Sequence, residues 1–389
     1  MTTPGSEVRG RARRIAANQD RSLLADLRAV VPAFVAARVL IALGWLMASA
    51  VAHRYYGRQP TQLSEGLIAW DGTWYRDIAT LGYERLPLEG LRFFPLFPML
   101  GRLFGSLFGV RADVALVALA NVAAVGTAVL ARRIVRAEMT AGDRKADDVA
   151  NRAVWAITLF PSAFVLAWAY AESLLLCFAM GALLLARRGK WRWAAVLAAA
   201  AALCRPVGIA LAPALAVEAV RTWRGSPPIG RLARVVAVFA PIGALGSYLG
   251  WVGTAFGDWT LPFGIQGELR GEVIDPASRV LRGFGDLLGP ERFGDGLHIP
   301  FAVAFVMLTV VTFRRWPACY GVYAVVVLVM ALSAANLNSL ERYALNAFPL
   351  AMTLAVLART TRLERLGLAI CGCGLFSLSA LAFGAVYVP

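Results

Sequence analysis

The sequence predicts an all-α integral membrane protein, a polytopic helical bundle of about eleven spans with juxtamembrane helices in its first outer loop. Three observations carry this. Of the 389 residues, 59% are hydrophobic and 16% charged, against about 45–50% and about 25% in soluble domains. Apolar runs approach twenty residues, the length that crosses a hydrocarbon core. Arginines punctuate those runs rather than forming one patch, which is the positive-inside pattern. No polar block is long enough for a second domain, so residues 1–389 read as one polytopic unit.

In chain order, residues 1–30 carry six arginines and read as a cytoplasmic tail. Val31 to Ala52 forms an uncleaved first span, although Ala48-Ser49-Ala50 imitates a signal-peptidase site. Residues 53–111 then form a first extracytoplasmic loop. Arg92 to Gly109 is apolar enough to cross, but the next run, Ala112 to Ala131, ends in Arg132-Arg133 and must finish inside, so 92–109 must not cross. Arg102, Pro95 and Pro98 suit an interfacial helix, and Gly101, Gly105 and Gly109 form a stripe for close packing. Residues 132–152 are a charged cytoplasmic loop. Residues 153–186 are too long for one span and read as a hairpin turning near Tyr170-Ala171-Glu172-Ser173. Residues 193–220 form either a second hairpin, turning at Cys204-Arg205-Pro206, or one tilted helix that inverts everything downstream. After a span over 235–256, residues 257–299 form a second extracytoplasmic loop. Runs at 300–313, 317–335, 347–357 and 367–386 complete the bundle. Arg38, inside the first span, reads as a side chain snorkelling to the cytoplasmic interface.

Composition also excludes functions. The net charge of +15 is dispersed between spans, which argues against nucleic acid as a partner and for the bilayer. The five cysteines lie in or beside spans, are odd in number and form no C-x-x-C, which disfavours a disulfide framework or a zinc site. His53 and His298 are the only histidines, so a histidine-rich metal centre is excluded. A divalent metal held by carboxylates stays open. No Walker A spacing is present.

The stretch Trp70-Asp71-Gly72-Thr73-Trp74-Tyr75 is where chemistry concentrates. It is polar and aromatic, and it follows the first span. Asp71 is a general base for an acceptor hydroxyl, or it only caps a juxtamembrane helix whose tryptophans form an aromatic belt. Trp70, Trp74 and Tyr75 offer faces for a sugar. Arg205 sits in an apolar run before Pro206; it is a phosphate ligand or a snorkelling residue. Arg342 is a second phosphate ligand or a local partner of Glu341. Glu172 positions substrate or a metal, or caps the second arm of its hairpin.

These residues fall in blocks that resemble a known family. Trp70-Asp71 with Ile78-Ala79 and Gly82-Tyr83, then Phe93-Phe94-Pro95-Leu96-Phe97-Pro98, resembles the opening signature of the PIG-V mannosyltransferases. Phe160-Pro161-Ser162 with Ala169 to Ser173, Cys204 to Gly208, and Arg342-Tyr343 with Phe348-Pro349 resemble its later blocks. The resemblance implies a polytopic glycosyltransferase of the GT-C class in a multi-pass membrane setting, amino terminus cytoplasmic and active site extracytoplasmic. It implies polyprenyl-phosphate mannose as donor, inversion at the anomeric carbon, a lipid or glycolipid acceptor, and Asp71 as the essential carboxylate. Gly72-Thr73-Trp74-Tyr75 departs from the eukaryotic pattern, and the loops are short. A bacterial glycolipid at the plasma membrane therefore fits better than a glycosylphosphatidylinositol precursor. The rival class is a transporter or lipid flippase without transferase activity.

Overall fold

The computed structural model describes residues 23–57, 59–139, 144–358 and 360–389; most of the expected cytoplasmic tail lies outside them. Among the described residues the fold is helical throughout, and the single β-bridge joins Val273 to Ala334. Among the described residues, five helical stretches are long and apolar enough to cross a membrane: Leu23–Tyr55, Ala112–Glu138, Pro228–Phe256, Asp295–Arg315 and Thr361–Phe383. Their outward faces are bare hydrocarbon, as at Val35, Val39, Val122, Phe239 and Met307. With 59% hydrophobic residues, the chain is an integral membrane protein.

The helices are α1 (Leu23–Val51), α2 (Thr61–Glu65), α3 (Asp71–Leu81), α4 (Leu96–Phe108), α5 (Ala112–Glu138), α6 (Arg144–Thr158), α7 (Glu172–Arg187), α8 (Trp191–Cys204), α9 (Leu211–Arg221), α10 (Pro228–Phe256), α11 (Leu261–Arg270), α12 (Pro276–Leu288), α13 (Ile299–Arg315), α14 (Ala318–Leu332), α15 (Leu340–Asn346), α16 (Pro349–Leu357) and α17 (Thr361–Phe383). Helices α1, α5, α10 and α17 run about 35–44 Å at 1.5 Å per residue. Helices α6, α7, α8, α9 and α16 are too short to cross alone, so the expected eleven full spans are not reached by helices of crossing length. The 153–186 run breaks between Thr158 and Glu172, and the 193–220 run breaks after Cys204. Pro161 and Pro206 enforce both breaks. Proline removes a backbone donor and pushes the preceding residue into extended backbone, as at Arg205 (φ −158°, ψ 148°). Non-helical backbone at membrane depth is tolerated because it is buried in protein or lines a cavity.

One end of the bundle is marked by a cluster of ion pairs. There Asp26 of α1 holds Arg132 and Arg133 of α5, and Arg136 reaches Asp147 of α6 at 2.9 Å. At the same end Arg187 of α7 joins Glu138 of α5 at 2.5 Å and Glu218 of α9 at 3.0 Å. Since α1 starts and α5 finishes here, residues 53–111 are carried to the far end, while the shorter α7 and α9 carry the breaks at 159–171 and 205–210 only part of the way toward it. Asp71 therefore lies at the end opposite the start of α1.

Local expectations divide. The 92–109 run forms the 13-residue α4, and its glycine stripe packs as the spacing suggests. A Cβ on Gly101 would meet Leu116 Cδ2 at 2.4 Å. Gly109 serves differently, closing α4 in the left-handed conformation at φ 64°. The snorkelling expectation for Arg38 is corrected. Helix α1 begins at residue 23, so Arg38 sits mid-helix. There it donates to Asn121 Oδ1 at 2.7 and 3.0 Å and to Leu166 O at 3.2 Å. Asn121 in turn donates to Ala167 O at 2.9 Å. The pair pins the broken segment that delivers Glu172.

Candidate active site

A cavity of about 840 Å³ opens at the far end, within the range of about 300–1,000 Å³ typical of ligand sites. Its walls come from the first loop (Thr61, Glu65, Trp70, Asp71, Trp74), from the break at Arg205, from α11 (Phe263, Gln266, Arg270), and from α15 (Arg342, Tyr343).

Asp71 opens α3. Trp70 before it has φ 59° and ψ −121°, a strained backbone for a bulky residue. The strain is held by its indole N–H, which donates to Ala382 O at 3.0 Å, and by packing against the core. The Asp71 amide donates to the Tyr170 hydroxyl at 3.2 Å. The carboxylate, with 24% of its side chain exposed, accepts from Arg342 Nη1 at 2.6 Å.

Glu172 lies behind this pair, fully buried at the first residue of α7. Its Oε1 accepts from Arg205 Nη1 at 2.6 Å and stands 3.4 Å from Arg342 Nε. Among the described residues its Oε2 and Arg342 Nε have no hydrogen-bond partner. Arg205, Arg270 and Arg342 converge on the Tyr343 ring, their guanidinium carbons 5.6, 4.3 and 5.1 Å from its centroid. Burial raises the Tyr343 phenol, but the three arginines outweigh it and hold the group at about 8. Three cations thus face two carboxylates, a net charge of about +1.

Each residue singled out in the sequence is placed. Asp71, Arg205, Arg342 and Glu172 meet in one cluster. Trp70 and Trp74 line the cavity, and Trp74 stacks on Phe93 at 5.7 Å and 15°. Tyr75 is buried, edge-on to Phe93 and Phe97 at 5.1 and 5.0 Å. The local Arg342–Glu341 pair is not made. Glu341 instead bonds His298 Nδ1 at 2.8 Å and accepts from the Tyr387 hydroxyl at 2.9 Å. Sequence reasoning missed Tyr170, Arg270 and Tyr343. Tyr343 adjoins Arg342, but nothing in the outer loop set Arg270 apart from its charged neighbours.

No family model and no curated protein matches the chain. Solved structures of an Archaeoglobus fulgidus oligosaccharyltransferase align with it. The form with zinc and sulfate does so at TM-score 0.43 and 14% identity, over 90% of this chain and 53% of that one. The form with an inhibitory peptide and a dolichol-phosphate does so at TM-score 0.43 and 11% identity, over 90% and 56%. The chain spans about half the length of these structures.

Proposed function

We propose that the protein is an inverting glycosyltransferase of the GT-C class that moves mannose from polyprenyl-phosphate mannose to a lipid or glycolipid acceptor at the extracytoplasmic face. The observation that carries this is the cluster itself: Asp71, Arg205, Arg270 and Arg342 line a single cavity at the end opposite the start of α1, with Glu172 buried behind them. The donor is a phosphodiester with one negative charge, and it balances the net +1 of the cluster. Arg205, Arg270 and Arg342 bind its phosphate, and Trp70 and Trp74 flank the sugar.

In the empty site Arg342 Nη1 donates to the Asp71 carboxylate at 2.6 Å, which engages the oxygen that an acceptor hydroxyl would need. Donor phosphate competes for Arg342. As that guanidinium turns away, Glu172 retains its Nε side, and Asp71 is released toward the acceptor. Asp71 then takes the acceptor hydroxyl proton as that oxygen forms a bond to the anomeric carbon. The bond from that carbon to the phosphate oxygen breaks, and the phosphate leaves with the electron pair. It departs with one further negative charge, and the arginines stabilise it more than the ground state.

The test is Asp71→Asn in membranes supplied with polyprenyl-phosphate mannose. The folded variant is expected to lose transfer by about 10²–10⁴-fold. Undiminished transfer removes Asp71 from the mechanism. The broken helices at 159–171 and 205–210 favour one second reading, a lipid flippase, since transporters carry such breaks at their binding sites. Net lipid movement without donor turnover supports that reading instead.

A further inference from the structure

The second outer loop carries an amphipathic helix that the cavity does not use. Helix α12 is capped by Asp275, whose carboxylate accepts from the Ser278 amide at 2.7 Å. One face is locked inward. Arg279 is buried, donates to Asp286 at 3.1 Å and also pairs with Asp295. Gly283 lies so close to α13 that a Cβ there would stand 1.9 Å from Ile299 Cδ1. The opposite face presents Leu281, Phe284 and Leu288, at 70%, 45% and 87% exposure. Their spacing of three and four residues places them on one stripe. Arg282 is exposed beside it.

The height of this stripe identifies what covers it. Helix α12 packs against the first turn of α13, which belongs to the apolar stretch Asp295–Arg315. Beyond that turn, α13 exposes Val306, Met307 and Val310, its lipid-facing surface. The stripe therefore lies at the outer end of a membrane-crossing helix, at headgroup depth. A helix at that depth that packs its charged face on the protein and turns two leucines and a phenylalanine outward offers those side chains to the headgroup–acyl boundary.

We infer that α12 is an interfacial helix, with Leu281, Phe284 and Leu288 inserted at the headgroup–acyl boundary of the outer leaflet and Arg282 against lipid phosphate. This has a consequence for the cavity. Helix α11, which roofs the cavity, and the turn after it are tied to the segment before α15: Arg270 O accepts from the Asn336 amide at 3.3 Å, Arg270 Nη2 donates to Asn338 O at 2.6 Å, and Ile274 N–H donates to Ser333 O at 3.0 Å. Asp295 Oδ1 accepts from the Leu337 amide at 2.9 Å. The roof is thus held between the bilayer on one side and the element bearing Arg342 on the other.

The test uses the unmodified chain in phosphatidylcholine–phosphatidylglycerol bilayers. One reagent is a lipid with a diazirine on its acyl chain; the other is a water-soluble diazirine. After photolysis, modification is mapped by mass spectrometry. The peptide 280–288 is expected to favour the acyl reagent by about tenfold relative to the loop peptide 268–275. Leu281→Asp with Phe284→Asp is expected to remove that preference without changing labelling of α13. Labelling of 280–288 mainly from water overturns the inference. So does protection from both reagents, which assigns the stripe to a second copy of the chain. Neither result bears on whether Asp71 is needed for transfer.

Discussion

Replacing Glu172 by Gln tests the cluster most directly. Glu172 is fully buried, and its partner Arg205 has 11% of its side chain exposed, so little solvent screens the pair. Removing one member of a buried ion pair leaves the other uncompensated and costs about 3–5 kcal/mol. Arg205 borders the cavity and gains some solvation there, which favours the lower figure. At about 2 °C per kcal/mol for a chain of this size, that lower figure of about 3 kcal/mol corresponds to Glu172→Gln melting roughly 6 °C below wild type. A thiol-reactive dye reads this in detergent, since Cys204, Cys319 and Cys371 are free and buried. The double variant Glu172→Gln/Arg205→Met removes both charges and is expected to recover most of the loss, because paired removal approaches neutrality. The deficit should persist at high salt, as buried pairs are weakly screened. A single variant that melts with wild type, or a double variant that melts below the sum of the two singles, refutes the coupling.

Three further outcomes follow from local geometry. Tyr343 titrates at about 8, below the usual phenol value. Its contribution to stability is therefore absent at pH 7, grows as pH rises through 8 and is complete above about 10. Donor binding runs the other way, because the phenolate cancels the net positive charge. The donor KM of wild type should rise by up to about tenfold per pH unit above 8, and an equal rise in Tyr343→Phe contradicts the assignment. In Gly208→Ala the new Cβ would stand 2.5 Å from the backbone of Ala201 and Ala202. It should destabilise by about 1–3 kcal/mol and weaken transfer by moving Arg205, both readable by melting and activity. Ala385 is exposed at φ 60°, so Ala385→Gly should stabilise by about 1 kcal/mol with transfer unchanged, measured by the same melt.

What the sequence showed depended on whether neighbours along the chain decide the outcome. Asp71 was legible because a polar aromatic stretch directly follows an apolar run. Parity of spans from Arg132-Arg133 argued against a crossing at 92–109, where α4 has 13 residues; the break after Cys204 was legible from Pro206, whereas the turn expected near Tyr170 is a longer break that starts after Thr158. The partners were not legible, since Arg342 and Asp71 are 271 positions apart. One signal was available, however. Residues i and i+1 on a helix do not face each other, which disfavours a Glu341–Arg342 pair from spacing alone. The Arg38 misplacement came from starting the first span at residue 31 rather than 23. Asn121, a lone amide deep in the next apolar run, was its visible partner.

Backbone strain gives an independent mark of the site. Among the described residues, three non-glycine positions have positive φ: Trp70, Ser339 and Ala385. Trp70 immediately precedes Asp71. Ser339 caps α15, three residues before Arg342, and its hydroxyl donates to Pro389 O at 2.6 Å. Ala385 lies two residues before Tyr387, which binds Glu341 beside Arg342. Such conformations cost roughly 1–3 kcal/mol each and persist where surrounding packing over-determines them. Here they sit on the segments that bring a carboxylate and a guanidinium to 2.6 Å across a cavity wall. A bundle needing only stability has no reason to keep Trp70, Ser339 and Ala385 in positive-φ backbone on the segments around the Asp71–Arg342 pair. The same three features are what a site requires if Arg342 is to be held by Asp71 when empty and yielded to a phosphate when filled.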